Sequence, residues 1–174
     1  MSLILVTSLS AVEKTIAEYR PSHMITLLSP EYMIDTPRQI AAERHLRLAV
    51  NDVLEVWAGD SPPNETHVAR LIEFGRTWDS EAPMLVHCLA GISRSMAAAY
   101  TLLCDRAPSG RELDIARELR ARAAHACPNA LIVALADQVL GREGRMVRAV
   151  ATMGRGEIVV EGGCVELPLA LVGP

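Results

Sequence analysis

The stretch MLVHCLAGISRS, from Met84 to Ser95, determines how the rest of the chain is interpreted. Its first part is apolar, has the length of a buried strand, and ends on Cys88. Five residues with Gly91 at their centre separate this cysteine from Arg94. The sequence after the arginine is rich in alanine and leucine, which favour a helix. The stretch therefore predicts a strand, a tight loop and a helix that begins near the arginine.

The predicted loop has the chemistry of an anion site. Backbone N–H groups between a strand and a helix N-terminus point toward one centre and bind tetrahedral oxyanions. Arg94 adds a permanently charged group that makes two hydrogen bonds to such an anion. Cys88 lies at the same positive centre, which favours the thiolate form that acts as a nucleophile. The loop therefore predicts attack on phosphorus, and because its amides and Arg94 stabilise the charge, no metal or other cofactor is expected.

The segment from His87 to Ser95 resembles the signature loop of the cysteine-dependent protein tyrosine phosphatases, and most closely that of the dual-specificity phosphatases. The resemblance extends more weakly from about residue 3 to residue 141. Asn51-Asp52, at the end of a predicted strand, resembles the general-acid position of that family. Pro128-Asn129, at the start of a late helix, resembles another recurring element.

The resemblance implies a role for each matching residue. Cys88 is expected to be the nucleophile, and Ser95 to assist the departure of its thiolate. Asp52 is expected to protonate the leaving oxygen and later to activate water. His87 is expected to order the loop without contacting substrate. The phosphate would be bound by the Arg94 side chain and by the amides of Leu89, Ala90, Gly91, Ile92, Ser93 and Arg94.

The identity of the general acid has an alternative. The gap from Asp52 to Cys88 is 36 residues, which is longer than the family pattern leads us to expect. An insertion in the proline-rich loop after Asp52 would explain the excess. Asp60 lies in that loop and competes for the role, but Asp52 is favoured because a strand end holds a side chain more firmly than a loop tip does. Trp57, in the same loop, is expected either to wall the phosphate pocket or to anchor the loop.

The rest of the chain alternates short apolar strands with amphipathic helices. Strands are predicted at 3–6, 23–28 and 45–50, and helices at 12–20, 36–44, 64–78, 109–123 and 128–141. This alternation predicts an α/β fold with a central, largely parallel sheet of about four to five strands flanked by helices. It would form a phosphatase-like domain at 1–141. Residues 142–174 are predicted to be a C-terminal extension with a β-hairpin that turns at Gly162-Gly163.

Composition narrows the classes of function. The net charge is −4 and Lys14 is the single lysine, which argues against a nucleic-acid partner. No segment is long and apolar enough to cross a membrane, and the first residues lack the pattern of a secretion signal. The four cysteines show no close pairing, so reduced thiols in a cytoplasmic protein are expected. Cys104, Cys127 and Cys164 are interpreted as packing residues.

The loop chemistry and the resemblance together predict a metal-independent phosphomonoester hydrolase with a cysteinyl-phosphate intermediate. The resemblance implies that its substrates are phosphorylated proteins, with phosphotyrosine first and with phosphoserine or phosphothreonine as the alternative of a dual-specificity phosphatase. The loop interior, formed by Leu89, Ala90 and Ile92, carries no cation and so disfavours inositol polyphosphates. With one Phe, three Tyr and two Trp, a shallow pocket is expected. The alternatives are a catalytically weak phosphoprotein-binding module, a phosphatase of nucleotides or inositol phosphates, and a sulfur transferase of rhodanese type. The oligomeric state is left open.

Overall fold

The computed structural model describes residues 2–54 and 61–172, and its centre is one five-stranded sheet. The strands are β1 (Leu3–Ser8), β2 (His23–Leu28), β3 (His45–Ala49), β4 (Met84–Cys88) and β5 (Val165–Pro168). Their order across the sheet is β3-β2-β4-β1-β5. The first four strands are parallel, and β5 pairs antiparallel with β1 at the sheet edge. The predicted α/β fold with a largely parallel sheet is confirmed.

Helices cover both faces of this sheet. The α-helices are α1 (Val12–Tyr19), α2 (Glu65–Thr77), α3 (Arg94–Arg106), α4 (Glu112–Arg122), α5 (Ala130–Val139) and α6 (Arg145–Met153). Short 3-10 helices occupy Leu9–Ala11, Pro30–Tyr32, Ala42–Arg44 and Leu169–Val172. Ile4 and Val6 of β1 belong to the larger apolar cluster with α2 to α6, whereas Leu5 belongs to the smaller cluster with α1. This alternation follows the two-residue period of a strand.

The parallel register brings the carboxyl ends of four strands to one edge of the sheet. Ser8 of β1 pairs with Cys88 of β4, and Leu28 of β2 pairs with Ala49 of β3. The loops that follow these strands therefore meet at the same edge, which is where open parallel sheets bind ligands. The segment that begins at Cys88 lies at this edge.

Two predicted elements of the chain are wrong. Residues 36–44 do not form a helix beyond the short 3-10 turn Ala42–Arg44. The C-terminal hairpin does not form either: of its two expected strands, only Val165–Pro168 exists, and it pairs with β1. Val165 and Leu167 are buried in the main core, whereas Ile158 is fully exposed. Apolar burial against an available sheet edge therefore outweighed local hairpin formation.

The helix α6 was not predicted. Its apolar positions include Met146 and Ala149, which are buried in the main core with residues of α2 to α5. The carboxylate of Asp137 accepts hydrogen bonds from Gly144 N (2.6 Å) and Met146 N (2.8 Å). A side chain of α5 thus pairs with the free N–H groups at the N-terminus of α6. Residues after 141 thus pack on the same core as those before it, and the domain boundary placed there stays a prediction.

Candidate active site

The loop between β4 and α3 bends back over the side chain that opens it. Cys88 is the last residue of β4 and is buried. Its sulfur accepts a hydrogen bond from Gly91 N at 3.3 Å and lies 3.1 Å from Ser95 Oγ in the first turn of α3. One backbone amide and one hydroxyl therefore point at the sulfur, which is the arrangement that stabilises a thiolate.

Gly91 allows this bend for two reasons. Its φ is +72°, a left-handed conformation that other residues adopt at a cost. A Cβ at this position would also lie 2.8 Å from Ser8 N and from Thr7 C of β1. The loop is therefore pressed against the end of the neighbouring strand, and only a residue without a side chain fits there.

Arg94 is oriented by the protein yet keeps a donor available. Its Nη1 donates to Val50 O (2.7 Å) and to Ser29 Oγ (3.4 Å), which fixes one end of the buried guanidinium. Its Nε is buried and has no hydrogen-bond partner among residues 2–54 and 61–172. An unpaired buried donor on a charged group is costly unless a ligand satisfies it. Arg94 is therefore arranged to bind an oxyanion.

Asp52 lies beside the same loop. Its Oδ1 accepts hydrogen bonds from Ser93 Oγ (2.6 Å) and Asn129 Nδ2 (2.8 Å). Its Oδ2 is 3.7 Å from Arg94 Nε, which makes an ion pair beyond hydrogen-bond length. The competing Asp60, and Trp57, fall within 55–60, outside the described residues.

Asn129 connects Asp52 to a helix, and this link was not predicted. Its Oδ1 accepts from Ile132 N (3.0 Å) and so caps α5. Its amide nitrogen donates to Asp52 Oδ1 and to Val53 O (3.2 Å). One buried asparagine thus caps α5 and holds the acidic side chain. Because these partners are far apart in sequence, local pattern reveals the cap but not the link.

A chain of buried hydrogen bonds runs behind the cysteine. His87 Nδ1 lies 3.4 Å from Cys88 O, and His87 Nε2 lies 2.7 Å from Thr26 Oγ1. Thr26 Oγ1 also lies 2.7 Å from His45 Nε2, whose Nδ1 is 2.9 Å from Thr36 Oγ1. Thr26 was missed because its role depends on the pairing of β2 with β4, in which it stands opposite His87.

One arrangement of protons satisfies every member of this chain. Cys88 O is an acceptor, so His87 Nδ1 carries the hydrogen and its Nε2 is the acceptor. The Thr26 hydroxyl therefore donates to His87 and accepts from His45 Nε2–H. The Thr36 hydroxyl then donates to His45 Nδ1. Both imidazoles must be neutral for this to hold, and burial supports that by lowering the pKa of each to about 4.

The remaining cysteines differ in their environments. Cys104 is buried in α3, and burial raises the pKa of its thiol to about 12, which fits the interpretation as a packing residue. Cys127 and Cys164 are exposed, so for them that interpretation is wrong. Within the described ranges, no group of three or more His, Cys, Asp or Glu side chains is placed to hold a metal ion. Nor do those ranges contain a helix of the length and apolarity required to span a bilayer.

A buried cysteine at the end of a parallel strand, a loop amide that donates to its sulfur and an oriented arginine thus lie together at one edge of the sheet. The sequence model of the protein-tyrosine phosphatase family matches residues 39–130, which is more than half of the chain. The chain therefore belongs to the protein-tyrosine phosphatase family and is a cysteine-based phosphatase of that type. The family resemblance stated from the loop is confirmed.

Solved structures agree with this fold. The crystal structure of DUSP15 is similar with a TM-score of 0.62 and 18% sequence identity, over 85% of this chain and 88% of that chain. OH1 from the Orf virus, described as a tyrosine phosphatase with triple substrate specificity, matches with a TM-score of 0.44 and 14% identity, over 88% of this chain and 79% of that chain. The similarity to DUSP15 shows that the two chains share a fold. The similarity to OH1 is too low to add to this conclusion. No curated protein matches the chain in a sequence comparison.

Proposed function

We propose that this protein is a metal-independent phosphomonoester hydrolase that removes phosphate from phosphorylated proteins, phosphotyrosine above all, through a phosphate ester of Cys88. The observation that carries the proposal is the set of donors around one buried sulfur. Gly91 N and Ser95 Oγ lie 3.3 and 3.1 Å from it, and the neighbouring Arg94 Nε has no partner in the described part of the chain. These donors suit a thiolate and the oxyanion that it attacks.

In the first step the Cys88 thiolate attacks phosphorus, the S–P bond forms and the bond from phosphorus to the leaving oxygen breaks. Arg94 and the amides of residues 89–94 bind the non-bridging oxygens. Asp52 gives its proton to the leaving oxygen. Its Oδ1 already accepts two hydrogen bonds, whereas Oδ2 accepts none from the described residues and is therefore the atom assigned to carry the proton.

In the second step water attacks phosphorus, and the Asp52 carboxylate takes a proton from it. The S–P bond breaks and its electron pair returns to sulfur. The Ser95 hydroxyl, 3.1 Å from that sulfur, donates a hydrogen bond to the departing thiolate. Inorganic phosphate leaves and the enzyme returns to its starting state. Every group required by this cycle is supplied by the chain and water.

The substrate class is proposed from the family and from the loop itself. Protein-tyrosine phosphatases act on phosphorylated proteins, and the chain belongs to that family. Leu89, Ala90 and Ile92 provide no cation for further phosphates, which favours one phosphate over a polyphosphate or an inositol polyphosphate. Leu89 is 47% exposed at the loop and offers an apolar contact to a protein substrate. A cytoplasmic setting is inferred from the four free thiols.

The test is hydrolysis of para-nitrophenyl phosphate and of a phosphotyrosine peptide in the presence of a chelator. We expect activity that vanadate inhibits and that Cys88→Ser lowers by at least about a thousandfold. Cys164→Ser is the matched control, because this thiol is exposed, and it should keep wild-type activity. Activity that survives Cys88→Ser or that requires added metal would contradict the proposal. Binding of the phosphopeptide without turnover would favour a phosphoprotein-binding module.

A further inference from the structure

The outer side of the phosphate loop is held by backbone donors from three separate segments. The bonds are Leu9 N to Leu89 O (3.0 Å), Gly162 N to Ala90 O (2.8 Å) and Cys127 N to Ile92 O (2.9 Å). The donor of the second bond belongs to the C-terminal part of the chain, for which sequence analysis predicted a hairpin turn. Residues 156–162, which end at this donor, are called the strap below.

The bond from Gly162 acts on the peptide unit that faces the sulfur. The C=O of Ala90 and the N–H of Gly91 belong to one trans, planar peptide, so they point in opposite directions. Fixing Ala90 O on the outside therefore fixes Gly91 N–H on the inside, where it donates to Cys88 Sγ at 3.3 Å. Without the outer bond this peptide is free to rotate, because Gly91 is the most permissive residue for backbone rotation.

We propose that Gly162 is a positioning residue of the active site: through its bond to Ala90 O, the strap holds the Gly91 amide on the Cys88 sulfur and so favours the thiolate and its attack on phosphate. The proposal rests on the proposed function, in which Cys88 is the nucleophile. Gly162 itself contacts neither substrate nor the reacting atoms. It acts through Ala90 and Gly91.

The strap fits closely against the loop and its neighbour. Gly162 is buried, and a Cβ there would collide with His125 Nε2 and lie 2.9 Å from Gly91 O. At the other end of the strap, a Cβ on Gly156 would lie 2.7 Å from the His125 carbonyl carbon and oxygen. The amide of Glu157 also donates to Ala124 O at 2.9 Å. At Gly156 the contact is with the backbone of His125, whereas at Gly162 it is with the His125 ring and with Gly91 O. Neither position has room for a side chain.

A side chain of the strap adds a further attachment. Glu161 Oε2 accepts hydrogen bonds from Ser10 Oγ (2.6 Å) and Ser8 Oγ (3.3 Å). Ser8 pairs with Cys88 across β1 and β4. Glu161, the residue immediately before Gly162, is therefore hydrogen-bonded to the end of β1, next to the loop. This contact keeps Gly162 N close to Ala90 O.

The chain offers a matched control at the next position. Gly163 is exposed, and a Cβ added there meets nothing within 4 Å. Gly162→Ala and Gly163→Ala thus make the same chemical change one residue apart. The first change displaces the strap from the loop, and the second does not.

The first measurement is the pH dependence of Cys88 alkylation by iodoacetate in the wild type and both variants, read by mass spectrometry of the peptide that contains Cys88. The second is kcat and KM for para-nitrophenyl phosphate in the same three proteins. We expect Gly162→Ala to move the alkylation midpoint upward by about half to one pH unit, because the thiolate loses an oriented donor. We also expect its kcat to fall roughly tenfold with KM changed less than about twofold. Gly163→Ala should match the wild type within about twofold. Equal behaviour of the two variants would overturn the inference.

A measurement on the unmodified chain covers the case in which Gly162→Ala does not fold. In nitrogen-15 spectra, added inorganic phosphate should shift the amide signals of Gly91 and Gly162 together and that of Gly163 much less. An unresponsive Gly162 signal would overturn the inference. Failure of the proposed function can be told apart from failure of this inference. If the wild type has no phosphatase activity, the alkylation midpoint of Gly162→Ala can still differ from that of the wild type. If the wild type is active and the two variants agree, the strap inference alone fails.

Discussion

The inner and outer sides of the phosphate loop differ in where their partners come from. On the inner side, Gly91 and Ser95 are close in sequence to the Cys88 sulfur that they contact. On the outer side, the carbonyls are held by Leu9 and Gly162, which come from opposite ends of the chain. The inner side is thus a local motif, whereas the outer side requires the complete fold. A short motif can therefore predict the chemistry of a site without predicting what keeps it in shape.

The largest expected effect comes from changing the inner side, with Arg94→Lys. Lysine keeps the charge but loses the planar, two-point donor, so the oxyanion loses an oriented partner. We expect kcat/KM for para-nitrophenyl phosphate to fall roughly a thousandfold with the fold retained. Arg117→Lys, on an exposed face of α4, is the control and should keep wild-type kinetics. A loss below about tenfold for Arg94→Lys would show that the arginine does not bind the transition state.

The next effect concerns the buried histidines behind the loop. Burial lowers the pKa of His87 to about 4 from an ordinary 6.5, so the unfolded chain binds more protons between these values. The neutral, buried His87 therefore makes a contribution to the free energy of unfolding that is complete above about pH 6.5. This contribution falls as the pH decreases toward 4, by roughly 3 kcal/mol. Urea unfolding at several pH values measures this. A His87→Gln variant should show a shallower slope, and an unchanged slope would contradict the neutral, buried histidine.

Thr26→Val tests the hydrogen-bond chain between the strands. Valine has the shape of threonine but leaves His87 Nε2 and His45 Nε2 without their shared partner, so we expect a loss of about 2 kcal/mol in the free energy of unfolding. Thr26→Ser, which keeps the hydroxyl, should recover much of it. Thr101→Val is the matched control, because the buried Thr101 hydroxyl bonds only the Ala97 carbonyl of its own helix. Equal losses for Thr26→Val and Thr101→Val would contradict the assigned chain.

The smallest effect is expected from separating the two roles of Asn129. Asn129→Ser keeps an oxygen that caps α5 but removes the amide donor to Asp52. We expect stability close to that of the wild type and a kcat lower by about tenfold, because Asp52, the proposed general acid, loses its orientation. Asn64→Ser changes the corresponding cap of α2, where Asn64 accepts from His67 N at 3.0 Å, and should leave kcat unchanged. Matching kinetics in the two variants would show that Asn129 is merely a cap.

The helix caps show which parts of the fold could be predicted from local sequence. Asn64 and Asn129 each stand at the start of a predicted helix, and each caps that helix by accepting a hydrogen bond from a nearby backbone amide. Ser10 and Thr36 have the same local form, yet neither caps a helix. Their hydroxyls bind Glu161 and His45, residues brought close only by the tertiary fold. Local patterns therefore predict a cap where no distant partner takes the oxygen of the capping side chain.

The candidate site follows the same rule. The sequence brought out Cys88 and Arg94 because a strand, a glycine loop and a helix entry fix their positions locally, whereas Asp52 was found through its resemblance to the general-acid position of the family. Thr26 and Gly162 carried no such signal, since their contacts depend on strand register and on the path of the C-terminal residues. The path of those residues was mispredicted for the same reason, because the β1 edge that receives β5 lies far away in sequence.

In the proposed mechanism, Cys88 carries the phosphoryl group during turnover. The direct measurement is the intact mass and peptide mass of Ser95→Ala protein quenched with acid during hydrolysis of para-nitrophenyl phosphate. Because this variant lacks the hydroxyl proposed to assist the departing thiolate, the intermediate should accumulate. We expect the mass of one added phosphoryl group on the peptide that contains Cys88, and none in the Cys88→Ser, Ser95→Ala protein. A phosphoryl group on another residue, or turnover without any covalent intermediate, would contradict the account.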